Sequence, residues 1–144
     1  MVRCDHQVTI RVGRWPRERD IIRDIRNQVF VIEQQVPREI EWDDRDHEAT
    51  HFLAFANNVP VATARLLDGG QLGRMAVLDS HRNLGIGRAL LDFVLDFAKS
   101  KYSRVHCHAQ VRAMDFYQRA GFIQQGDRFF EAGIEHQGME YIIE

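Results

Sequence analysis

A β-rich run from Gln71 to Val77 is followed by the turn His81-Arg82-Asn83-Leu84-Gly85-Ile86-Gly87-Arg88-Ala89, then by Leu90, Leu91, Val94, Leu95 and Ala98 at helical spacing. A strand, a glycine-bearing turn and an amphipathic helix in that order constrain the fold more than any other feature of the chain. The helix stripe has to lie against a sheet, and the next strand, predicted over Arg104 to Ala109, calls for parallel pairing. Gly85 and Gly87 leave the backbone N–H groups at the helix start open to approach, and such N–H groups bind anions. Arg82 and Arg88 add charge-assisted donors. A plain connection with two solvated arginines would share this pattern, so the turn alone does not decide its use.

The rest of the chain supplies the layers. Val8 to Val12 alternates as a half-buried strand. Pro16 is placed to open a helix, with Glu18 and Asp20 at its positive end. Ile21, Ile22, Ile25, Val29 and Ile32 carry its stripe as far as Pro37, so Glu33 falls near its end. Arg38 to Glu48 is rich in carboxylates and reads as an exposed connection. His51 to Ala56 and Val59 to Leu67 flank Asn57-Asn58, a pair suited to a tight hairpin, with Pro60 near the start of the second run. Ala113 to Ala120 predicts a short helix closed by Gly121, and Phe122 to Ile143 one or two strands. The order β, α, β-hairpin, β, α, β, α, β implies an α/β (α+β layered) fold, one domain over residues 1–144, with a mixed sheet flanked by helices.

Composition narrows the function. With 44% hydrophobic and 28% charged residues the chain is globular, and its net charge of −2 provides no field for a nucleic acid. No stretch approaches the roughly 18 apolar residues of a membrane span, and the first seven residues hold no secretory signal. Cys4 and Cys107 stand far apart, which disfavours a disulfide framework or zinc site and suggests reduced thiols in a cytoplasmic protein. His106 and His108 share one strand face, and His47 and His51 lie near each other, but no carboxylate or cysteine joins them at ligand spacing, so no metal is expected. A phosphate-binding loop would need Gly-x-x-x-x-Gly-Lys-Ser/Thr, which is absent. A dinucleotide site would need a small residue where Leu90 stands and an acidic one near His106, Cys107 and His108.

The turn resembles the GNAT superfamily of acyl-CoA N-acyltransferases, in which Arg/Gln-x-x-Gly-x-Gly/Ala receives the coenzyme A diphosphate; Arg82-x-x-Gly85-x-Gly87 matches. Gln110-x-x-Ala113-x-x-Phe116-Tyr117-x-x-x-Gly121-Phe122 is similar to the family's later segment, with Gln110 where asparagine is common. Val29-Phe30-Val31-x-Glu33-Gln34-Gln35-Val36-Pro37 and Glu131-x-Gly133-Ile134-x-His136-x-Gly138-Met139 resemble the ElaA-like subgroup.

The resemblance implies a centrally splayed sheet and acetyl-CoA as the acyl donor, with no metal. It places the pantetheine arm along Met75, Ala76 and Val77. The diphosphate falls on Leu84, Gly85, Ile86, Gly87, Arg88 and Ala89 beside Arg82 and Asn83, while Gln110, Ala113 and Phe116 complete the cofactor site. Tyr117 is the expected acid for the departing thiolate, since a phenol stays protonated at neutral pH. Glu33, His108, Glu131 and His136 could each take the amine's proton; Glu33 and His136, in the subgroup-like segments, are favoured. The expected acceptor is a small-molecule or peptide amine. Apart from the resemblance, the acidic stretch around Asp43, Asp44 and Asp46 is either a solvated face or an attraction for a cationic amine. A weakly catalytic coenzyme A-binding module and a nicotinamide-dependent oxidoreductase are the alternatives. The acceptor's identity and the oligomeric state, a homodimer included, stay open.

Overall fold

In the computed structural model, which describes residues 7–143, the β-rich runs become seven strands of one sheet. They are β1 (Val8–Val12), β2 (Thr50–Ala56), β3 (Val59–Leu67), β4 (Gln71–Val77), β5 (Arg104–Gln110), β6 (Ile123–Glu131) and β7 (Ile134–Ile142). Their spatial order is β1-β2-β3-β4-β5-β7-β6; β4 and β5 run parallel and the other neighbours antiparallel. Asn57 and Asn58, at φ of 51° and 68°, close the β2–β3 hairpin in the left-handed conformation expected of them. The terminal run is a hairpin of two strands. Cys4 and the first six residues lie outside the described residues.

Among the described residues there are four α-helices: α1 (Arg19–Arg26), α2 (Arg38–Glu41), α3 (Ile86–Ala98) and α4 (Met114–Arg119). Because strand side chains alternate, β2 feeds two cores at once. Phe52 and Ala54 pack on one face with Leu90, Leu91 and Val94 of α3, whereas Leu53 packs on the other with Ile22 and Ile25 of α1. All eight side chains are fully buried or nearly so, each large one stabilising the fold by roughly 1.5–3 kcal/mol.

The first helix departs from its sequence pattern at both ends. It begins at Arg19, after a turn in which the Arg19 N–H donates to Pro16 O at 3.0 Å. Over Asn27–Glu33 the coil widens, and the Gln34 N–H reaches back five residues to Val29 O at 3.1 Å. A stripe extrapolated at 3.6 residues per turn therefore fails at Ile32, whose side chain is 66% exposed.

The acidic stretch is not the exposed connection expected of it. Glu41 and Asp46 are buried against Arg26, which donates from Nε to Glu41 Oε2 at 2.6 Å and from Nη1 to Asp46 Oδ1 at 2.8 Å. Arg65 of β3 holds Asp43 at 2.8 Å and Asp46 at 3.1 Å. Arg74 of β4 reaches Asp43 Oδ2 at 3.0 Å and the Glu41 carbonyl at 3.1 Å. Carboxylates so occupied cannot draw in a cationic amine, and that expectation is corrected for Asp43 and Asp46.

Candidate active site

The sheet opens at β4. Thr63 pairs with Ala76 but Arg65 with Gly73, so β4 carries one extra residue opposite Ala64, and Arg74 takes a φ of 48° at this bulge. A bulge bends its strand and interrupts the ladder. Pairing with β5 is accordingly confined, among the described residues, to Gln71 with His106 and Leu72 with Cys107, while β5 stays paired with β7 through Gln110. Met75, Ala76 and Val77 thus border a V-shaped gap, the splay that the sequence resemblance implied.

At the mouth of the V lies the glycine turn. Asn83 and Gly85 take φ of 63° and 83°, and Gly85 precedes the first residue of α3. The Ala89 N–H donates to Gly85 O at 3.0 Å, so this amide belongs to the helix ladder. Among the described residues the N–H groups of Ile86, Gly87 and Arg88 have no protein acceptor, as expected at a helix start, and form an anion cradle. Leu84 stands half exposed beside it, and Arg88 Nε is turned to Asp92 at 3.0 Å. These residues suit a diphosphate.

Arg82 is engaged by protein acceptors. Its Nε donates to Val77 O at 3.0 Å, and its Nη1 and Nη2 fork onto Glu33 at 2.5 and 2.6 Å. The guanidinium ties the turn to β4 and to the end of the widened helix. Glu33 is in turn held below the ordinary carboxylate range by that fork, which makes it a weak proton acceptor.

Tyr117 enters the V from α4. Its hydroxyl lies 3.9 Å from Met75 Sδ, and its ring meets Phe116 and Phe122 edge-on at centroid distances of 5.1 and 5.4 Å. Burial, with the Cys107 thiol nearby, pushes its ionisation above the usual 10, so it remains an O–H donor. Ala113 ends the short turn leading into α4, and Phe116 lies where a Cβ on Gly87 would touch it at 3.6 Å.

On the face toward α1, β5 presents His106, His108 and Gln110. Gln110 is drawn to this side: its Nε2 donates to Gln34 Oε1 at 2.8 Å and its Oε1 accepts from Arg112 Nε at 3.0 Å. A cleft of about 470 Å³ is lined there by Glu33, Gln34, Gln35, Arg112 and Ile134. His136, opposite Gln110 on β7, donates from Nδ1 to Ile134 O at 2.7 Å, which leaves Nε2 as the lone-pair nitrogen. His108 Nδ1 meets Glu131 Oε1 at 2.7 Å, and Phe129 packs against both His108 and His136. His51 lies far from this group in role, its Nε2 spent on Asp46 O at 2.8 Å and its ring stacked on Trp15. Sequence reasoning named neither Gln34 nor Arg112 as a site residue: Gln34 stood in the ElaA-like segment without a role, and Arg112 fell at an unspecified position after Gln110.

A mixed sheet split within its parallel pair, with an anion cradle at the mouth of the split and a phenol inside it, defines an acyl-CoA-dependent N-acyltransferase. Residues 18–143 match the acetyltransferase (GNAT) domain, and the chain belongs to that family. It is 36% identical over 123 residues to the uncharacterized N-acetyltransferase YjcF of Bacillus subtilis, covering 80% of this chain and 86% of that one. Protein ElaA of Escherichia coli is 32% identical over 124 residues, covering 80% and 81%. The crystal structure of ElaA superposes with a TM-score of 0.82 over 93% of this chain and 99% of that one, at 26% identity. That of an acyl-CoA N-acyltransferase from Pseudomonas aeruginosa superposes with a TM-score of 0.80 over 94% and 99%, also at 26%.

Proposed function

We propose that the protein transfers an acetyl group from acetyl-CoA to a primary amine by direct attack. The single observation that carries this reading is the Tyr117 hydroxyl held inside the V, beside Met75, behind a cradle of unbonded N–H groups. Acetyl-CoA supplies the activated acyl thioester. The amides of Ile86, Gly87 and Arg88 are the donors for its diphosphate, and the free edge of β4 from Met75 to Val77 is the rail for its pantetheine arm. Tyr117 donates its proton to the sulfur that leaves. Binding both reactants in one cleft converts a bimolecular reaction into an effectively unimolecular one.

The amine must lose a proton before it attacks. Glu33, forked on Arg82, is the weaker of the two favoured acceptors. His136, with Nδ1–H fixed on Ile134 O, keeps Nε2 for the task, and His108 stands beside it across Phe129 with Glu131 to balance an imidazolium. Thiol release from acetyl-CoA across a panel of amines tests the reading. Turnover with at least one amine is expected; coenzyme A binding with no thiol released by any amine would favour a binding module.

A further inference from the structure

The hydrogen-bond directions in the 470 Å³ cleft sort its polar groups by sign. Gln110 gives its amide N–H to Gln34 Oε1, and its own carbonyl oxygen takes the Arg112 Nε–H. Each side-chain carbonyl of the pair is thereby engaged once. The Gln34 amide nitrogen and the two terminal nitrogens of Arg112 keep N–H groups that no protein acceptor takes among the described residues. Glu33, the carboxylate on the same wall, gives both oxygens to Arg82. Among the described residues no carboxylate closes an ion pair on Arg112.

A guanidinium held at Nε with Nη1 and Nη2 free is a planar fork, the geometry that takes a carboxylate through two parallel bonds. The acidic segment after Pro37 offers little to a polycation, since Glu41, Asp43 and Asp46 are turned inward onto Arg26, Arg65 and Arg74, and Glu131 on the cleft side is taken up by His108. A volume of this size admits a small molecule.

Resting on the N-acetyltransferase reading above, we propose that the acceptor is a small zwitterion, an amine that also carries a carboxylate, and that Arg112 binds that carboxylate. Arg112 then fixes the amine's distance from the thioester. Gln110 and Gln34 are positioning residues that aim the fork.

The test compares matched acceptors in the thiol-release assay: glycine with methylamine, β-alanine with ethylamine, lysine with 1,5-diaminopentane. The carboxylated member of at least one pair is expected to show a kcat/KM roughly tenfold to hundredfold higher, the scale of a charge-assisted contact. In Arg112→Gln that ratio falls toward one, mainly through the KM of the carboxylated member. A wild-type control needs no variant: propionate, which cannot be acetylated on nitrogen, should compete with the amine and not with acetyl-CoA. Equal or better turnover of the decarboxylated partners, with no competition by propionate, would overturn the zwitterion while leaving the acetyltransferase intact. Absence of thiol release with every amine would instead remove the reading on which this one stands.

Discussion

Tyr117 and Gly85 show how much of this site rests on single side chains and single torsions. Tyr117→Phe keeps the ring contacts with Phe116 and Phe122 but removes the hydroxyl to which we assign the proton donation. It should lower kcat by roughly 10²-fold or more while coenzyme A affinity, read by calorimetry, stays near that of the wild type. Since its environment raises the phenol's ionisation, the wild-type kcat should show no alkaline limb from Tyr117 below about pH 10, which a pH–rate profile reads. Gly85 sits at a φ of 83° with open space where a Cβ would go, so its replacement by Ala clashes with nothing and strains only the backbone. Gly85→Ala should cost about 1–2 kcal/mol and lower Tm by several degrees. At Gly87, where a Cβ would meet Val77 at 3.5 Å and Phe116 at 3.6 Å, ordinary contacts, Ala should leave Tm nearly unchanged.

Among the elements, the bulge in β4 and the segment from Arg38 to Glu48 belong together. Arg74, the left-handed residue of the bulge, donates to the Ile40 and Glu41 carbonyls and to Asp43, so the acidic segment holds the bulge from outside the sheet. Burial raises Glu41 above the carboxylate range in spite of Arg26 and Arg74, which marks how much of the cluster's attraction goes to offset desolvation. Arg26→Met would take the shortest contact from both Glu41 and Asp46, leaving them Arg74 at 3.3 Å and Arg65 at 3.1 Å. A loss of roughly 3 kcal/mol is expected in urea denaturation, the low end for breaking a buried pair because each carboxylate keeps a second cation. The hydrophobic stripes of α1 and α3 and the Asn57-Asn58 hairpin were readable from periodicity because neighbours a few residues apart govern them. The coil over Asn27–Glu33 was not, since its extra residue per turn depends on what the widened helix packs against.

For the molecule as a whole, the cluster predicts an acid limit. Burial would raise Asp43, but Arg65 and Arg74 outweigh it and hold the folded carboxyl at about 2, against an ordinary value of 3.8. A depressed folded value contributes stability that is present above the ordinary value and lost as pH falls toward the folded one. Stability should therefore drop between about pH 4 and 2, and Asp43→Asn should flatten that part of an acid-unfolding curve followed by circular dichroism. If the variant kept the wild-type slope over that interval, Asp43 would not be a source of it. The strand–turn–helix order and the glycine turn were legible in the linear chain, because each is written in residues close together and in backbone preferences that act locally, and the parallel pair followed from that order of elements. The ion cluster, the pairing of Arg82 with Glu33 and the bonding of Gln110 to Gln34 and Arg112 were not. Their partners lie up to 76 positions apart, and a charged side chain carries no mark of which opposite charge the folded sheet will bring beside it. Coulombic and hydrogen-bond partners are chosen by the approach of elements in space, and that approach is set by the packing of the core.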